Sequence, residues 1–387
     1  MGQTFRVVAI AKALQRRGHD IRFIAAGKMV SVIKSFGLQV IEVQDMPQLE
    51  IYTDPEVRAK LPREELMAQM QALMMGIARM ETEVAKRERP DLIVSGTLTG
   101  PQAAKQLGIP SFLAFLQPHG LKTLQMVESR IGPQSDQEIA AHKQKLLEMV
   151  AGVELVFLEG MPEISGGAAL NKLGPEFAGL KEKIRFTGPL LTENPDQLPD
   201  RQVLKQKHIG DSSRPLAYIT IGGGSMLIGE SFLQLVLEAL RLVPEVTGVI
   251  ATGIAISPQA IHSFAPPANA VILGFAPGTE LIKASDVTIF HGGSSTLMTC
   301  IACGTPAVVI PSMGEQEDNG AVLAEHGAGI VLDKASLTPA ILAEAIQQVL
   351  GSTGYRQCAQ RLKELGQQYG GAQAAADWIE KSVGVLR

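Results

Sequence analysis

Residues 286–304 read DVTIFHGGSSTLMTCIACG, so His291 is followed by two glycines, two serines and a threonine. The run predicts a strand ending at Phe290 and a helix opening at Thr296. A helix N-terminus has free N–H groups and a partial positive charge. Gly292 and Gly293 let a ligand approach the backbone closely. The hydroxyls of Ser294, Ser295 and Thr296 add donors, and His291 can donate a further hydrogen bond, more strongly when protonated. Together these groups form a cradle for a diphosphate. The alternative without a ligand is a serine-capped helix after a glycine turn.

The flanking residues favour the ligand. Downstream, GTPAVVIPSMGEQEDNG sets Glu315, Gln316 and Asn319 just past a buried strand, where carboxylate and amide groups can take up sugar hydroxyls. Upstream, ILGFAPGTELIKASD offers Phe275 as a flat face and Ala276 as a backbone donor and acceptor for a nucleobase. Base, diphosphate and sugar each have a partner, in chain order. Cys300 and Cys303 form a C-x-x-C pair, but no second pair or nearby His completes a metal or redox site. They are read as two small buried residues on a helix.

The elements that must position these groups alternate along the chain. Helices are expected at 4–17, 29–36, 62–88, 100–107 and 136–150. Strands are expected at 20–25, 38–43, 91–95, 110–116, 153–158 and 184–187. After an aperiodic stretch rich in Pro, Asn and Asp, the alternation resumes. Strands are expected at 216–221, 247–251, 270–273, 286–290, 306–310 and near 329–332. Helices are expected at 230–241, 278–284, 296–303 and 317–326, with a last helical stretch over 338–382. This is the pattern of parallel sheets covered by helices on both faces. In such sheets ligands bind beyond the C-terminal strand ends. The expected organisation is an N-terminal Rossmann-like domain over 1–192, a linker over 193–214, a C-terminal domain over 215–365 and a C-terminal helix over 366–387. The long helix at 62–88 carries a narrow apolar stripe of Leu66, Met70, Leu73, Ile77, Met80 and Val84. It is expected to pack on its own domain; a partner helix, an acceptor pocket or peripheral membrane contact are the alternatives.

Composition bounds the rest. A chain of 387 residues with 45% hydrophobic and 19% charged side chains suits two packed domains rather than a disordered segment. A formal charge of −4 without charge runs argues against non-specific nucleic-acid binding. Three cysteines are too few for a disulfide framework and fit a reducing compartment. No stretch reaches the ~18 apolar residues of a spanning helix, and MGQTFR lacks the apolar core of a signal peptide. A cytoplasmic location is the expectation.

The segment 275–319 resembles the donor signature of the UDP-glycosyltransferase family with the GT-B fold, two Rossmann-like domains facing across a cleft. The matching residues are F-A-P at 275–277, H-G-G-S-S-T at 291–296, G-T-P at 304–306 and E-Q-E-D-N at 315–319. The resemblance implies that Phe275 stacks on the base, that His291 and Gly293 to Thr296 hold the diphosphate, and that Glu315 and Gln316 hold the sugar. It further implies that Ser225, in the loop GGGS at 222–225, contacts the donor phosphate. His19, in AIAKALQRRGHDIRFIAAG, is by the same likeness structural. The implied activity is inverting, metal-independent and cofactor-free transfer from a nucleotide diphosphate sugar, expected to be UDP-linked, to a hydroxyl of a small-molecule or lipophilic acceptor. A C-terminal helix crossing back to the N-terminal domain is also expected.

Three departures qualify that expectation. The family's ribose-binding glutamate falls at Thr299. Its catalytic histidine falls at Gln3, in Gly2-Gln3-Thr4-Phe5-Arg6, and its supporting aspartate at Gly96. His119, in FLQPHG, is the substitute base expected from position, with Asp45 a weaker candidate. Two other readings therefore stay open: a nucleotide-sugar-binding partner subunit without transfer activity, and a nucleotide-sugar epimerase on the same fold. Family members also have a strand ahead of the first loop. Without it the central position of the sheet would be open, so a start further upstream or a shortened chain is expected, the alternative being that another segment fills the place.

Overall fold

The computed structural model of the protein describes residues 2–44, 62–117, 122, 135–164, 178–221, 229–253, 256–274 and 276–384. The first half runs α1 (Gly2–Arg16), β1 (Arg22–Ala25), α2 (Lys28–Ser35), β2 (Gln39–Glu42), α3 (Arg63–Glu88), β3 (Ile93–Ser95), α4 (Thr99–Leu107), β4 (Ser111–Leu116), α5 (Asp136–Ala151), β5 (Leu155–Glu159), α6 (Ala178–Lys183) and β6 (Ile184–Gly188). The second runs α7 (Arg201–Ile209), β7 (Leu216–Thr220), α8 (Glu230–Leu242), β8 (Thr247–Ala251), α9 (Pro258–His262), β9 (Ala270–Leu273), α10 (Gly278–Ala284), β10 (Val287–Phe290), α11 (Ser294–Cys303), β11 (Ala307–Val309), α12 (Gly314–Glu325) and β12 (Gly329–Val331). Three closing helices follow: α13 (Pro339–Gly351), α14 (Thr353–Gln367) and α15 (Gly371–Ser382).

The second half is a six-stranded parallel sheet in the order β12-β11-β10-β7-β8-β9. All five residues of β7 are buried, as a central strand covered on both faces requires. On one face Leu233, Val236, Leu237 and Leu240 of α8 pack with Leu342 and Ile346 of α13. Their spacing of three and four is the helical period that the sequence shows. On the other face lie Leu281, Leu297, Met298, Ile301 and Leu362. Each such side chain contributes about 1.5–3 kcal/mol by leaving water.

The first half is divided. Strands β3-β4-β5-β6 form one parallel sheet and β1-β2 another. In the second half the place between β8 and β10 is filled by β7. At the corresponding place between β1 and β3, no strand lies among the described residues. Phe23, Ile24, Ile93 and Val94 are accordingly only half-buried, unlike every residue of β7. Helix α1 braces the two parts. Val8 and Ala11 pack with Ala25, Val30 and Ile33. Ala9, Ile10, Ala13 and Leu14 pack with Phe112 and Phe157.

Two stretches differ from expectation in detail. Residues 193–214 hold a helix, α7, with Leu204 fully buried and with Arg201 and Lys205 both paired to Asp286. Hydrophobic period alone missed it, because ion pairs rather than an apolar stripe hold most of its inner face. The helical stretch 338–382 is three helices, interrupted at Ser352, whose side chain caps Gly354, and at Gly370, which is left-handed at φ 72°. The last of them, α15, crosses back onto α1. Glu380 pairs with Arg17 at 2.6 Å and His19 at 2.8 Å, and Trp378 stacks on Phe157. His19 is thus a structural residue.

In α3, Leu66 and Val84 are buried while Met70, Leu73, Ile77 and Met80 are half-buried. No described helix is long and apolar enough to cross a membrane.

Candidate donor site

Strand register gathers the sequence motifs at one edge of the C-terminal sheet. Phe290 pairs with Thr220 on one side and Val309 on the other; Thr220 pairs with Ala251, and Ala251 with Leu273. The segments that follow β9, β7, β10 and β11 therefore leave the sheet side by side. These segments begin at Gly274, Ile221, His291 and Ile310.

The core of the site is the start of α11. The helix begins at Ser294, two residues earlier than expected, because Gly293 serves as its N-cap without any side-chain cap bond. The serine-capped alternative is therefore not what forms. The first bond inside the helix comes from Leu297 N–H to the Gly293 carbonyl, at 3.0 Å. The N–H groups of Ser294, Ser295 and Thr296 precede it and have no carbonyl within the helix to pair with. Gly292 has φ +87°, and a Cβ there would stand 2.6 Å from the Gln316 carbonyl oxygen, so both conformation and space demand glycine.

His291 packs its ring over Gly293; a Cβ at 293 would meet Nε2 at 2.7 Å. Its Nδ1 is buried and has no hydrogen-bond partner among the described residues. Burial holds the imidazole below its ordinary pKa, so near neutrality it offers one N–H and one acceptor. An orphaned buried polar atom costs about 1–3 kcal/mol, an amount that a hydrogen-bonded ligand would offset.

Helix α12 starts at Gly314, so Glu315, Gln316 and Asn319 lie in its opening turns rather than before it. Glu315 is half-buried. The Gln316 side-chain oxygen accepts from Ser312 N–H at 2.8 Å. Asn319 is 1% exposed, and its amide donates to the Gly292 carbonyl at 2.8 Å. Asn319 is thus a clamp on the phosphate loop rather than a group turned to a sugar. Thr299, at the ribose-glutamate position, spends its hydroxyl on the Ser295 carbonyl at 2.8 Å. Cys300 is buried with its thiol pushed up to about 12 by desolvation, and Cys303 is raised for the same reason. Both are free, as two packed residues of α11 would be. Ala276 packs against the cluster beneath α11. Ser225, Phe275, His119 and Asp45 lie outside the described residues.

Among the described residues the N-terminal half reaches this site through α1 and Lys122. Helix α1 touches α11, and Lys122 pairs with Glu317 while its N–H approaches Asp318. At the mouth of β3, Gly96 lies against the first turn of α1, where a Cβ would be 3.3 Å from the Gln3 carbonyl oxygen. The two positions of the missing dyad are therefore adjacent, with neither group present. Arg6 is turned away into the core, paired to Glu159 at 2.7 Å. Sequence reasoning also missed Glu81, a carboxylate on the buried side of α3 whose helix reads simply as amphipathic.

Comparison with known proteins agrees with this geometry. Residues 247–368 match the family model described as erythromycin biosynthesis protein CIII-like, C-terminal domain. An uncharacterised glycosyltransferase of Methanosarcina mazei is 26% identical over 99% of this chain and 96% of its own. The NDP-glycosyltransferase YjiC of Bacillus licheniformis is 26% identical over 96% of this chain and 93% of its own. Among solved structures, the calicheamicin glycosyltransferase CalG4 shares the fold at TM-score 0.73 and 17% identity, covering 99% of this chain and 95% of that one.

The chain has the GT-B fold and is similar to glycosyltransferases along nearly its whole length. It is an enzyme of the NDP-glycosyltransferase type, and its paired α/β domains are those of the fold that the donor motifs implied. A further GT-B relative, VinC, solved in complex with dTDP, has TM-score 0.69 at 18% identity and covers 99% of this chain and 97% of its own.

Proposed function

We propose that this glycosyltransferase moves a sugar from a nucleotide diphosphate donor, UDP-linked in the first instance, to a hydroxyl of a small-molecule or lipophilic acceptor. Configuration at the sugar carbon inverts, with no metal or cofactor. The observation that carries the donor reading is the uncapped start of α11 beside the partnerless buried Nδ1 of His291. The His291 Nδ1 is buried without a partner among the described residues, and the first N–H groups of α11 have no carbonyl within the helix to pair with.

In this reading the acceptor oxygen attacks the sugar carbon directly while a base removes its proton. The diphosphate leaves against the N–H groups of Ser294, Ser295 and Thr296, whose partial charges are fixed before the reaction. Phe275 and Ala276 take the base, and Glu315 and Gln316 the sugar. The ribose is held less firmly than by a glutamate, because the Thr299 hydroxyl is already engaged.

The test is transfer itself. The protein is incubated with α-linked UDP-sugars and a panel of apolar alcohols and phenols, and the product is examined by NMR. A β-linked glycoside supports the reading. An α-linked product, or a changed sugar on the recovered nucleotide, contradicts it.

A further inference from the structure

Lys122 reaches α12 from the N-terminal half; in the chain it follows β4. Its ammonium pairs with Glu317, and its N–H approaches Asp318 Oδ1 at 3.4 Å. A Cβ at Gly314 would stand 2.5 Å from the Lys122 carbonyl oxygen and 2.9 Å from its carbonyl carbon. Space therefore demands glycine at 314, and the Lys122 main chain lies directly against the start of α12. An exposed ion pair alone would say little, because water and salt screen it. Here the backbone makes the close approach, and Asp318 is buried.

Positions 314, 317 and 318 are spaced i, i+3 and i+4, so they share one face of α12. The phosphate loop holds the helix elsewhere. A Cβ at Gly292 would stand 2.6 Å from the Gln316 carbonyl oxygen, and the Asn319 amide donates to the Gly292 carbonyl at 2.8 Å. At about 100° per residue, 316 and 319 face away from 314, 317 and 318. The opening of α12 is thus gripped on opposite sides, by Lys122 from the N-terminal half and by Gly292 from the C-terminal half. Glu315 falls between the two grips.

The start of α11 has a different support. It follows β10, which is paired on both sides within the C-terminal sheet, and Gly293 caps it. The three contacts of Lys122 fall on α12 instead. Nucleotide and sugar therefore depend on different parts of the protein.

We infer that Lys122 is a positioning residue for the donor sugar: by clasping α12 at Gly314, Glu317 and Asp318 it fixes the turn that carries Glu315 and Gln316. The inference rests on the reading above, in which those two residues take the sugar. The diphosphate is then bound by the C-terminal half alone, whereas the sugar is bound well only when the N-terminal half holds α12 in place. A donor is thereby distinguished from the spent nucleotide by a residue that touches neither.

Calorimetry separates the two supports. Wild type, Lys122→Glu, Glu317→Lys, the double swap and Gly314→Ala are titrated with UDP and TDP, and with UDP-glucose, UDP-N-acetylglucosamine, TDP-glucose and TDP-rhamnose. The sugar nucleotide that binds wild type most tightly is followed through the variants. Each charge reversal is expected to weaken it about fivefold and Gly314→Ala roughly tenfold, with the nucleotide alone changing by less than about twofold. The double swap restores the pair and recovers most of the loss; the charge variants decide the matter if Gly314→Ala does not fold. A contact that only stabilises the fold would lower the urea midpoint and weaken nucleotide and sugar nucleotide alike. That result overturns the inference, as does a double swap no better than the single reversals, or charge variants that bind the sugar nucleotide as wild type does. A wild type that binds nucleotide but none of the four sugar nucleotides overturns it too. Failure of UDP and TDP to bind the wild type would instead overturn the donor reading.

Discussion

The amide of Asn319 reaches 2.8 Å from the first turns of α12 to the carbonyl of Gly292, tying the sugar-side helix to the phosphate loop. Both groups are buried, so neither has water as an alternative partner. Asn319→Ala should therefore destabilise the fold by about 1–3 kcal/mol and loosen the loop that His291 and Gly293 depend on. Urea unfolding is expected to show the loss, and nucleotide affinity to fall with it. Unchanged stability would mean that the bond does not form.

A second prediction concerns Arg6 and Glu159, each about 3% exposed. The pair is completed by Leu190 N–H, which donates to Glu159 at 3.0 Å. Removing one partner strands the other charge in the core. Glu159→Ala is expected to destabilise by about 3–5 kcal/mol, while replacing both residues with apolar ones of similar volume restores most of that. A denaturant midpoint for Glu159→Ala equal to that of wild type would contradict the pairing.

Glu81 yields a stability prediction independent of turnover. Its folded-state carboxyl stands at about 7 against an ordinary 4.5. Between those values the folded protein holds a proton that the unfolded chain releases, so stability falls as pH rises from about 4.5 through 7. Relative to Glu81→Gln, wild type should lose on the order of 3 kcal/mol across that window and nothing further above it. Thermal or urea unfolding at pH 5 and pH 8 reads the difference. Parallel pH curves for the two proteins would show that Glu81 is not buried as described.

Much of this was legible in sequence because it is local. The strand–helix alternation follows from hydrophobic period, and the phosphate loop from glycines placed between a β-rich run and a helix. Helix starts were misplaced by two or three residues where a residue without a capping side chain, Gly293 or Met313, takes the cap position. Helix α7 was hidden because Arg201 and Lys205 hold it through Asp286, a residue about 80 positions away. Asn319 read as a sugar ligand because its partner, Gly292, is brought near only by the pairing of β10 with β11. Glu81 was unreadable for the same reason: a glutamate in an amphipathic helix looks solvated until α4 packs Thr99 against it. The N-terminal strands form two separate sheets among the described residues, whereas the second half forms one continuous sheet.

The central claim is that the start of α11 holds a nucleotide diphosphate. Isothermal titration calorimetry of UDP and of TDP against wild type and His291→Ala tests it most directly. At least one nucleotide is expected to bind the wild type below millimolar Kd, and His291→Ala to weaken it by roughly tenfold or more, as loss of a hydrogen bond to a charged group would. If neither nucleotide binds the wild type at millimolar concentration, the account of this site is wrong.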